Sequence, residues 1–165
     1  MIIPVWMEAE IGGVSKDVLL NPLDEQVLET YPIGAFAKDV IWQNSFTTLH
    51  ARKVLRFARR TLGQIGCSER STFESLKARI LGFGCLLCPA EAAVYVQRQL
   101  GDRQKDVLQL LFLMEQIADS KGCKRIFKVN KSHDFSQWWL HAICLPPDKE
   151  FPSDTEIVFV LPDKK

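Results

Sequence analysis

The sequence lacks most of the features that assign a protein to a class at first sight. It has no internal repeat and no low-complexity tract, and its charge-free stretches all fall well short of the roughly 20 residues that a membrane-spanning helix needs. Neither sign of charge dominates, since 21 Lys and Arg residues face 20 Asp and Glu residues. A general attraction to nucleic acid or to a membrane is therefore not expected, and any such role must come from local clustering.

Motifs that carry catalysis are also missing. The chain has no nucleophile elbow of the form G-x-S-x-G, and Gly82-x-Gly84 lacks the third glycine of a phosphate-binding loop and follows no predicted strand. Ser132, His133 and Asp134 are adjacent in sequence, which does not by itself bring three side chains to one point. We therefore predict no catalytic residue and no cofactor, and we favour a protein without enzymatic activity.

Cysteine is present in small and odd number. The five residues are scattered over positions 67, 85, 88, 123 and 144. An odd count with wide scatter argues against a secreted disulfide framework. The first ten residues contain no basic segment of the kind that opens a signal peptide. We therefore expect five free thiols in a cytoplasmic protein.

Cys85 and Cys88 form a C-x-x-C motif, which is found in redox and zinc sites. A thioredoxin-like site places the first cysteine at the start of a helix that follows a strand, whereas Cys85 follows a predicted helix. A structural zinc ion needs four ligands, and no second close pair is present, so we predict no metal site. We favour burial of both thiols as small apolar groups at a helix–helix junction. A thiol–disulfide oxidoreductase that uses this pair is the alternative.

A helical layer is predicted for the middle of the chain. Apolar residues recur there at spacings of three and four, and residues 107–114 are apolar nearly all round, which is typical of a buried helix. Residues 33–44 are ambiguous, because their pattern does not decide between a helix and a strand. The first predicted helix is 22–31, with Asn21 as its cap, and the second is an amphipathic helix over 45–65. A third helix follows a capping box of Ser71 and Glu74, and a fourth is capped by Cys88, starts at Pro89 and ends before Gly101. The last is a central buried helix over 102–122.

Strands are predicted at both ends of the chain. Gly12-Gly13 can supply the positive φ angles of a tight hairpin, and the chain after Gly122 is rich in β-branched and aromatic residues. We therefore predict an α+β fold in a single domain over residues 1–165, with a mixed or antiparallel sheet packed against a central layer of about four helices. The predicted strands are 2–7, 14–20, 123–129, 138–145 and 156–161.

Five cations are concentrated in the predicted helix over 45–65. Arg52, Lys53, Arg56, Arg59 and Arg60 fall within about two and a half helical turns. Such a cluster could neutralise phosphates, which is the sequence-independent part of nucleic-acid binding. Cations of this kind more often form a solvated face that pairs with acids elsewhere in the chain. Nucleic acid is therefore a possible partner that we do not favour.

The predicted strand over 138–145 contains the most informative aromatic residues. Alternation places Trp139 and His141 on one face and Trp138 on the other, and His133 lies in the preceding connection. An exposed tryptophan beside a histidine is a suitable floor for a binding cleft, although helices and loops could instead cover both faces. We therefore predict a small cytoplasmic binding protein that holds a protein partner or a small molecule through Trp138, Trp139, His141 and His133.

Overall fold

The computed structural model describes residues 1–67, 69–101, 108–132, 134 and 136–164. These residues form five α-helices, a seven-stranded mixed sheet and a separate two-stranded sheet, which confirms the predicted α+β fold. The strands are β1 (Met7–Ile11), β2 (Lys53–Thr61), β3 (Ser71–Thr72), β4 (Gln109–Phe112), β5 (Ile117–Ala118), β6 (Lys124–Lys131), β7 (Trp138–Cys144), β8 (Glu150–Phe151) and β9 (Glu156–Val160). The three predicted strands near the C-terminus correspond to β6, β7 and β9.

The large sheet has the order β1-β2-β9-β4-β6-β7. Neighbouring strands are antiparallel except for β4 and β9, which are parallel. β7 pairs along one edge of β6, so β4 and the short β5 share the opposite edge. β3 and β8 form the small antiparallel sheet.

The helices are α1 (Lys16–Leu20), α2 (Gln26–Thr30), α3 (Ala35–Trp42), α4 (Phe73–Gly82) and α5 (Ala92–Gln99). α3 packs against β7, and α5 packs against β1, β6 and β7. The chain just before α3 also covers part of the outer edge of β7, because Gly34 N donates to Leu140 O at 2.8 Å and Leu140 N donates to Pro32 O at 3.0 Å. Among the described residues, none of the helices combines the length and hydropathy that crossing a membrane requires.

The predicted amphipathic helix over 45–65 is wrong, because its second half is β2 followed by a short 3₁₀ turn over Gly63–Ile65. Leu55 and Phe57 are buried on either side of a less buried Arg56, so the burial in this part of the strand alternates. Ala, Arg and Leu favour helices in isolation, so both the composition and the spacing of residues 45–65 predicted a helix. Pairing with β1 on one side and β9 on the other overrides that preference.

The predicted central helix over 102–122 is also wrong where the structure describes it, since residues 108–122 contain β4 and β5 instead. Residues 102–107 lie outside the described part of the chain. β4 lies between β9 and β6 in the interior of the sheet, and Leu110, Leu111 and Phe112 are all buried. A strand that is covered on both faces reads as a continuous apolar run, which periodicity does not separate from a buried helix.

The predicted strand over 14–20 is a helix, α1, and the first strand begins at Met7 rather than near residue 2. Gly12 and Gly13 do have positive φ angles of 91° and 78°, as predicted. They do not form a hairpin, because Gly13 N donates to Leu49 O at 2.9 Å and the chain turns away from β1. A Cβ at Gly12 would lie 2.6 Å from Ala51 O, so this close approach requires glycine.

The predicted helix caps also differ from those observed. α2 begins after Glu25 rather than at Asn21, and α5 begins after Glu91 rather than at Cys88. α4 is capped by Thr72, whose hydroxyl accepts from Ser75 N at 3.4 Å, while Ser71 belongs to β3. The ambiguous segment 33–44 contains α3.

The segment between α4 and α5 carries Cys85 and Cys88 and joins the sheet as extended chain. Leu86 exchanges two backbone hydrogen bonds with Val160, at 2.8 and 2.9 Å, and Cys88 N donates to Leu113 O at 2.7 Å. Both cysteines are buried, as predicted. The predicted helix–helix junction is wrong, since this segment forms β-bridges from Leu86 to Val160 and from Cys88 to Met114.

Candidate functional site

The side chains of β7 alternate between the core and a partly open face of the sheet. Trp138, Leu140 and Ala142 are buried, whereas Trp139 and His141 are half-buried. The backbone carbonyl of Trp138 accepts a hydrogen bond from the buried side-chain amide of Gln97 at 2.6 Å. Because its ring lies in the core, Trp138 does not belong to the predicted binding surface.

Trp139 and His141 form a stacked pair on the partly open face. Their ring centroids are 5.8 Å apart and their planes differ by 13°. The indole N–H of Trp139 donates to Gln137 Oε1 at 3.3 Å, which orients the ring. On the other side, a Cβ at Gly34 would lie 3.2 Å from His141 Nδ1, so the missing side chain lets the chain before α3 run close to the imidazole. These contacts hold both rings in place.

The surroundings of His141 favour the neutral form of its imidazole. Partial burial lowers its pKa below the ordinary value of 6.5, and the Lys128 cation lowers it further. Lys128 lies directly opposite His141 in the β6–β7 register, so the two side chains project from the same face of the sheet. The cation therefore stands beside an uncharged aromatic pair.

Two concavities lie over this face. One has a volume of about 320 Å³ and the other of about 280 Å³. The register joins them, because Asn130 pairs with both Gln109 and Trp139, and Lys128 pairs with both Leu111 and His141. We call the surface formed by Gln109, Leu111, Lys128, Asn130, Trp139, His141 and Ile143 the open sheet face. The first concavity is lined by Asn130, Lys131, Ser132, Trp139 and His141, and the second by Gln109, Leu111, Lys128, Ile143, Cys144, Lys149, Glu150, Phe151, Pro152, Thr155 and Glu156.

Some of the charged side chains that line the second concavity already have a partner, and one does not have a described partner. Glu156 Oε1 lies 2.6 Å from Arg59 Nη2, so its charge is compensated. The Lys149 ammonium lies over the Phe151 ring, 5.6 Å from its centroid. The backbone of Lys128 is paired with β4 and β7, but its ammonium forms no hydrogen bond or ion pair with any residue that the structure describes. A half-buried cation without a described partner is the group in this site most available to a ligand.

His133, the fourth predicted site residue, lies outside the described residues. Its neighbour Asp134 accepts hydrogen bonds from the hydroxyls of Ser132 and Ser136, at 2.6 and 2.7 Å. These bonds lower the pKa of Asp134 to about 2. The carboxylate therefore organises its own loop.

The five basic residues predicted for nucleic acid do not form one face. Arg52 precedes β2 and the other four lie on it, where successive side chains point to opposite sides of the sheet. Arg56 and Arg60 donate to the backbone carbonyls of Pro162 and Arg59. The remaining three pair with acids, in the ion pairs Arg52–Glu10 at 3.4 Å, Lys53–Asp163 at 3.5 Å and Arg59–Glu156 at 2.6 Å. This arrangement weakens the nucleic-acid alternative.

Cys85 and Cys88 are free thiols in the core, each 4% exposed. Burial raises the pKa of both, most strongly that of Cys88, whose thiol is directed at Val158 O at 3.5 Å. A redox-active cysteine needs an accessible thiol and a stabilised thiolate. Both observations weaken the oxidoreductase alternative at this pair.

A different pair of cysteines is joined. Cys123 and Cys144 form a disulfide with their Cα atoms 6.0 Å apart, so the expectation of five free thiols is wrong. The sequence did contain a signal for this pairing, because Cys123 and Cys144 lie at opposite ends of two consecutive predicted strands, 123–129 and 138–145. If they pair as antiparallel neighbours, the first residue of one lies beside the last residue of the other.

Among the residues that the structure describes, no three His, Cys, Asp or Glu side chains are grouped so that they could hold a metal ion.

The chain matches no family model, no curated protein and no solved structure.

Proposed function

We propose that this protein is a small cytoplasmic binding protein without catalytic activity, and that its ligand is a small organic anion with a planar ring. The ligand would occupy the open sheet face. The observation that carries the proposal is the stacked Trp139–His141 pair beside Lys128, a cation without a described partner.

The aromatic pair supports the planar part of the ligand. Trp139 and His141 are partly exposed and held parallel, and neutral rings can extend a stack or meet another ring edge to face. Because the pKa of His141 is lowered, the imidazole adds no second charge that would have to be matched at neutral pH.

Lys128 supports the anionic part of the ligand. Lys128 lines the second concavity, and it lies directly opposite His141, which lines the first, so a ligand whose carboxylate or phosphate binds Lys128 could place a ring against Trp139. The volume of about 320 Å³ is at the lower end of the range for small-molecule sites, and the volume of about 280 Å³ is just below that range. A small molecule therefore fits this face better than the alternative occupant, a protein partner.

The test is an NMR titration with phenylacetate, which combines a ring and a carboxylate. We expect millimolar binding that shifts the Trp139 indole and His141 signals. Phenylacetamide lacks the charge and cyclohexylacetate lacks the planar ring, and both should bind at least several-fold more weakly. Lys128→Gln should weaken phenylacetate binding about tenfold, as expected for loss of a charged hydrogen-bond partner. Trp139→Leu should weaken it about fivefold.

Trp42→Leu is the matched control, because Trp42 is an exposed tryptophan at the end of α3. Its loss should leave the titration unchanged. If the three compounds bind equally, or if none shifts the signals of the open sheet face, the proposed ligand class is wrong. Shifts at this face on addition of a folded protein, without any effect of phenylacetate, would favour the protein partner instead.

A further inference from the structure

The five cysteines differ sharply in how far they are exposed. Cys67, Cys85 and Cys88 are buried free thiols with exposures of 8%, 4% and 4%. Cys144 is exposed and Cys123 is partly exposed, and these are the two that are bonded to each other. The oxidised sulfurs are therefore the ones that an external reagent can reach.

We propose that the Cys123–Cys144 disulfide is a redox-active bond, and that a low-molecular-weight thiol opens it by attacking Cys144. The proposal is independent of ligand binding at the open sheet face. It assigns a modification site to this pair, where sequence spacing had pointed to Cys85 and Cys88.

A concavity of about 450 Å³ gives a small thiol access to the bond. Its lining is largely apolar and includes both bonded cysteines. Lys124, an exposed residue, lies in the same wall and supplies a cation for the carboxylates of a thiol such as glutathione. The lining residues are Phe73, Glu74, Gln116, Gly122, Cys123, Lys124, Cys144, Leu145, Pro146 and Pro147.

The strands around the bond are held together without it. Arg125 pairs with Cys144 at the end of a continuous β6–β7 ladder, and Leu145 N donates to Lys124 O at 2.9 Å. On the other side, Asp119 accepts from Cys123 N at 2.9 Å and pairs with Arg125 at 2.6 Å. Opening the disulfide therefore leaves the two sulfurs close to each other, which allows the bond to form again.

Glutathione reduces the disulfide in two exchange steps. The thiolate of a first glutathione attacks Cys144 Sγ, a bond forms between these two sulfurs, and the Cys123–Cys144 bond breaks. Cys123 leaves as a thiolate and takes a proton from water. A second glutathione thiolate then attacks the glutathione sulfur of the mixed disulfide and releases Cys144 as a thiolate. The protein disulfide gains two electrons, and two glutathione molecules are oxidised to one glutathione disulfide.

Cys144 is assigned as the sulfur that is attacked because it is the more exposed of the two. Exchange proceeds through the accessible sulfur, and the less accessible one becomes the leaving group. Cys67, Cys85 and Cys88 do not compete, because they are free thiols with no disulfide that glutathione could open, and all three are buried.

The experiment treats the native, oxidised protein with reduced glutathione, alkylates it without denaturant and maps the modified cysteines by mass spectrometry. We expect no labelling before treatment, and labelling of Cys123 and Cys144 alone after it. Oxidised glutathione should then restore the bond. Circular dichroism should show that the protein stays folded throughout.

Two single variants identify the sulfur that is attacked. With oxidised glutathione, Cys123→Ser should form a mixed disulfide at Cys144 at least about tenfold faster than Cys144→Ser forms one at Cys123. The proposal is overturned if glutathione leaves the wild-type bond intact, or if buried cysteines are labelled at the same rate. Faster reaction of Cys123 would overturn the assignment of Cys144. The wild-type mapping decides the main point even if a variant fails to fold.

Discussion

Two pairs of cysteines in this chain behave in opposite ways. Cys85 and Cys88 are three positions apart in sequence and remain separate, buried thiols, whereas Cys123 and Cys144 are 21 positions apart and share a bond at the surface. Two cysteines that are close in sequence can therefore have distant sulfurs, and two cysteines that are distant in sequence can be bonded.

The backbone conformation explains the first pair. Residues 85–88 run as extended chain that bridges to Val160 and Met114. Residues three apart in such a segment lie about 10 Å apart and point to opposite sides, which is beyond the Cα separation of roughly 4.4–6.8 Å that a disulfide spans. A C-x-x-C motif brings its sulfurs together only when the segment turns, and this extended segment does not.

Removal of the Cys123–Cys144 disulfide should have the largest effect on the stability of the protein. Replacing both Cys123 and Cys144 by Ser should lower the free energy of unfolding by about 3 kcal/mol under oxidising conditions, because a closed loop of this length restricts the unfolded chain. Urea denaturation measures this difference. In the presence of a reductant the variant and the wild type should be equally stable, and a difference that persists there would contradict this explanation.

The buried pair should respond differently. Cys88→Ala should cost about 1–2 kcal/mol, since it removes a sulfur from a filled core. The same urea denaturation, run with and without reductant, should give the same cost in both. A cost that appears only under oxidising conditions would show that Cys88 takes part in a disulfide.

Alkaline pH should lower the stability of the folded protein through the buried thiol of Cys88. Burial raises the pKa of Cys88, so above the ordinary thiol pKa of about 8.5 the unfolded chain loses this proton while the folded protein keeps it. The contribution of the Cys88 thiol to the free energy of unfolding is therefore complete below that pKa, and it declines as the pH rises above it. From pH 8.5 to 9.5 the wild type should lose about 1 kcal/mol relative to Cys88→Ala. Equal pH profiles for the two proteins would contradict the raised pKa.

The smallest expected effect concerns the sheet around the surface pair. Reduction of the disulfide should speed the amide hydrogen exchange that occurs through local opening by up to about fivefold at Leu145, because this amide lies beside the bond, and should leave the exchange through local opening at Leu140 within about twofold. Exchange followed by NMR on oxidised and reduced protein measures both. Equal acceleration at Leu140 would mean that the bond holds the whole of β7 in place.

The parts of the fold that were predictable are those whose local pattern has one interpretation. The alternation in β7, with Trp138 on one face and Trp139 and His141 on the other, was predicted and is observed. β2 and β4 were predicted as helices because an Arg-, Ala- and Leu-rich segment and an unbroken apolar run are compatible with either structure. Their strand neighbours decide between the two.

The candidate site shows the same division. Trp139 and His141 were found from spacing on a single strand, which is a local property. Lys128 was missed because it lies on the neighbouring strand, and only the register brings it opposite His141. The disulfide was missed although both predicted strands were present, since it too depends on how they pair.

The α+β class, the C-terminal strands and the burial of Cys85 and Cys88 could be predicted from the residues alone, because composition and alternation are properties of single segments. Three other features depend on how distant segments pair: residues 53–61 and 109–112 are strands, Lys128 lies opposite His141, and Cys123 is bonded to Cys144. Strand pairing decides these features because its hydrogen bonds and buried area outweigh local preferences of a few tenths of a kcal/mol per residue.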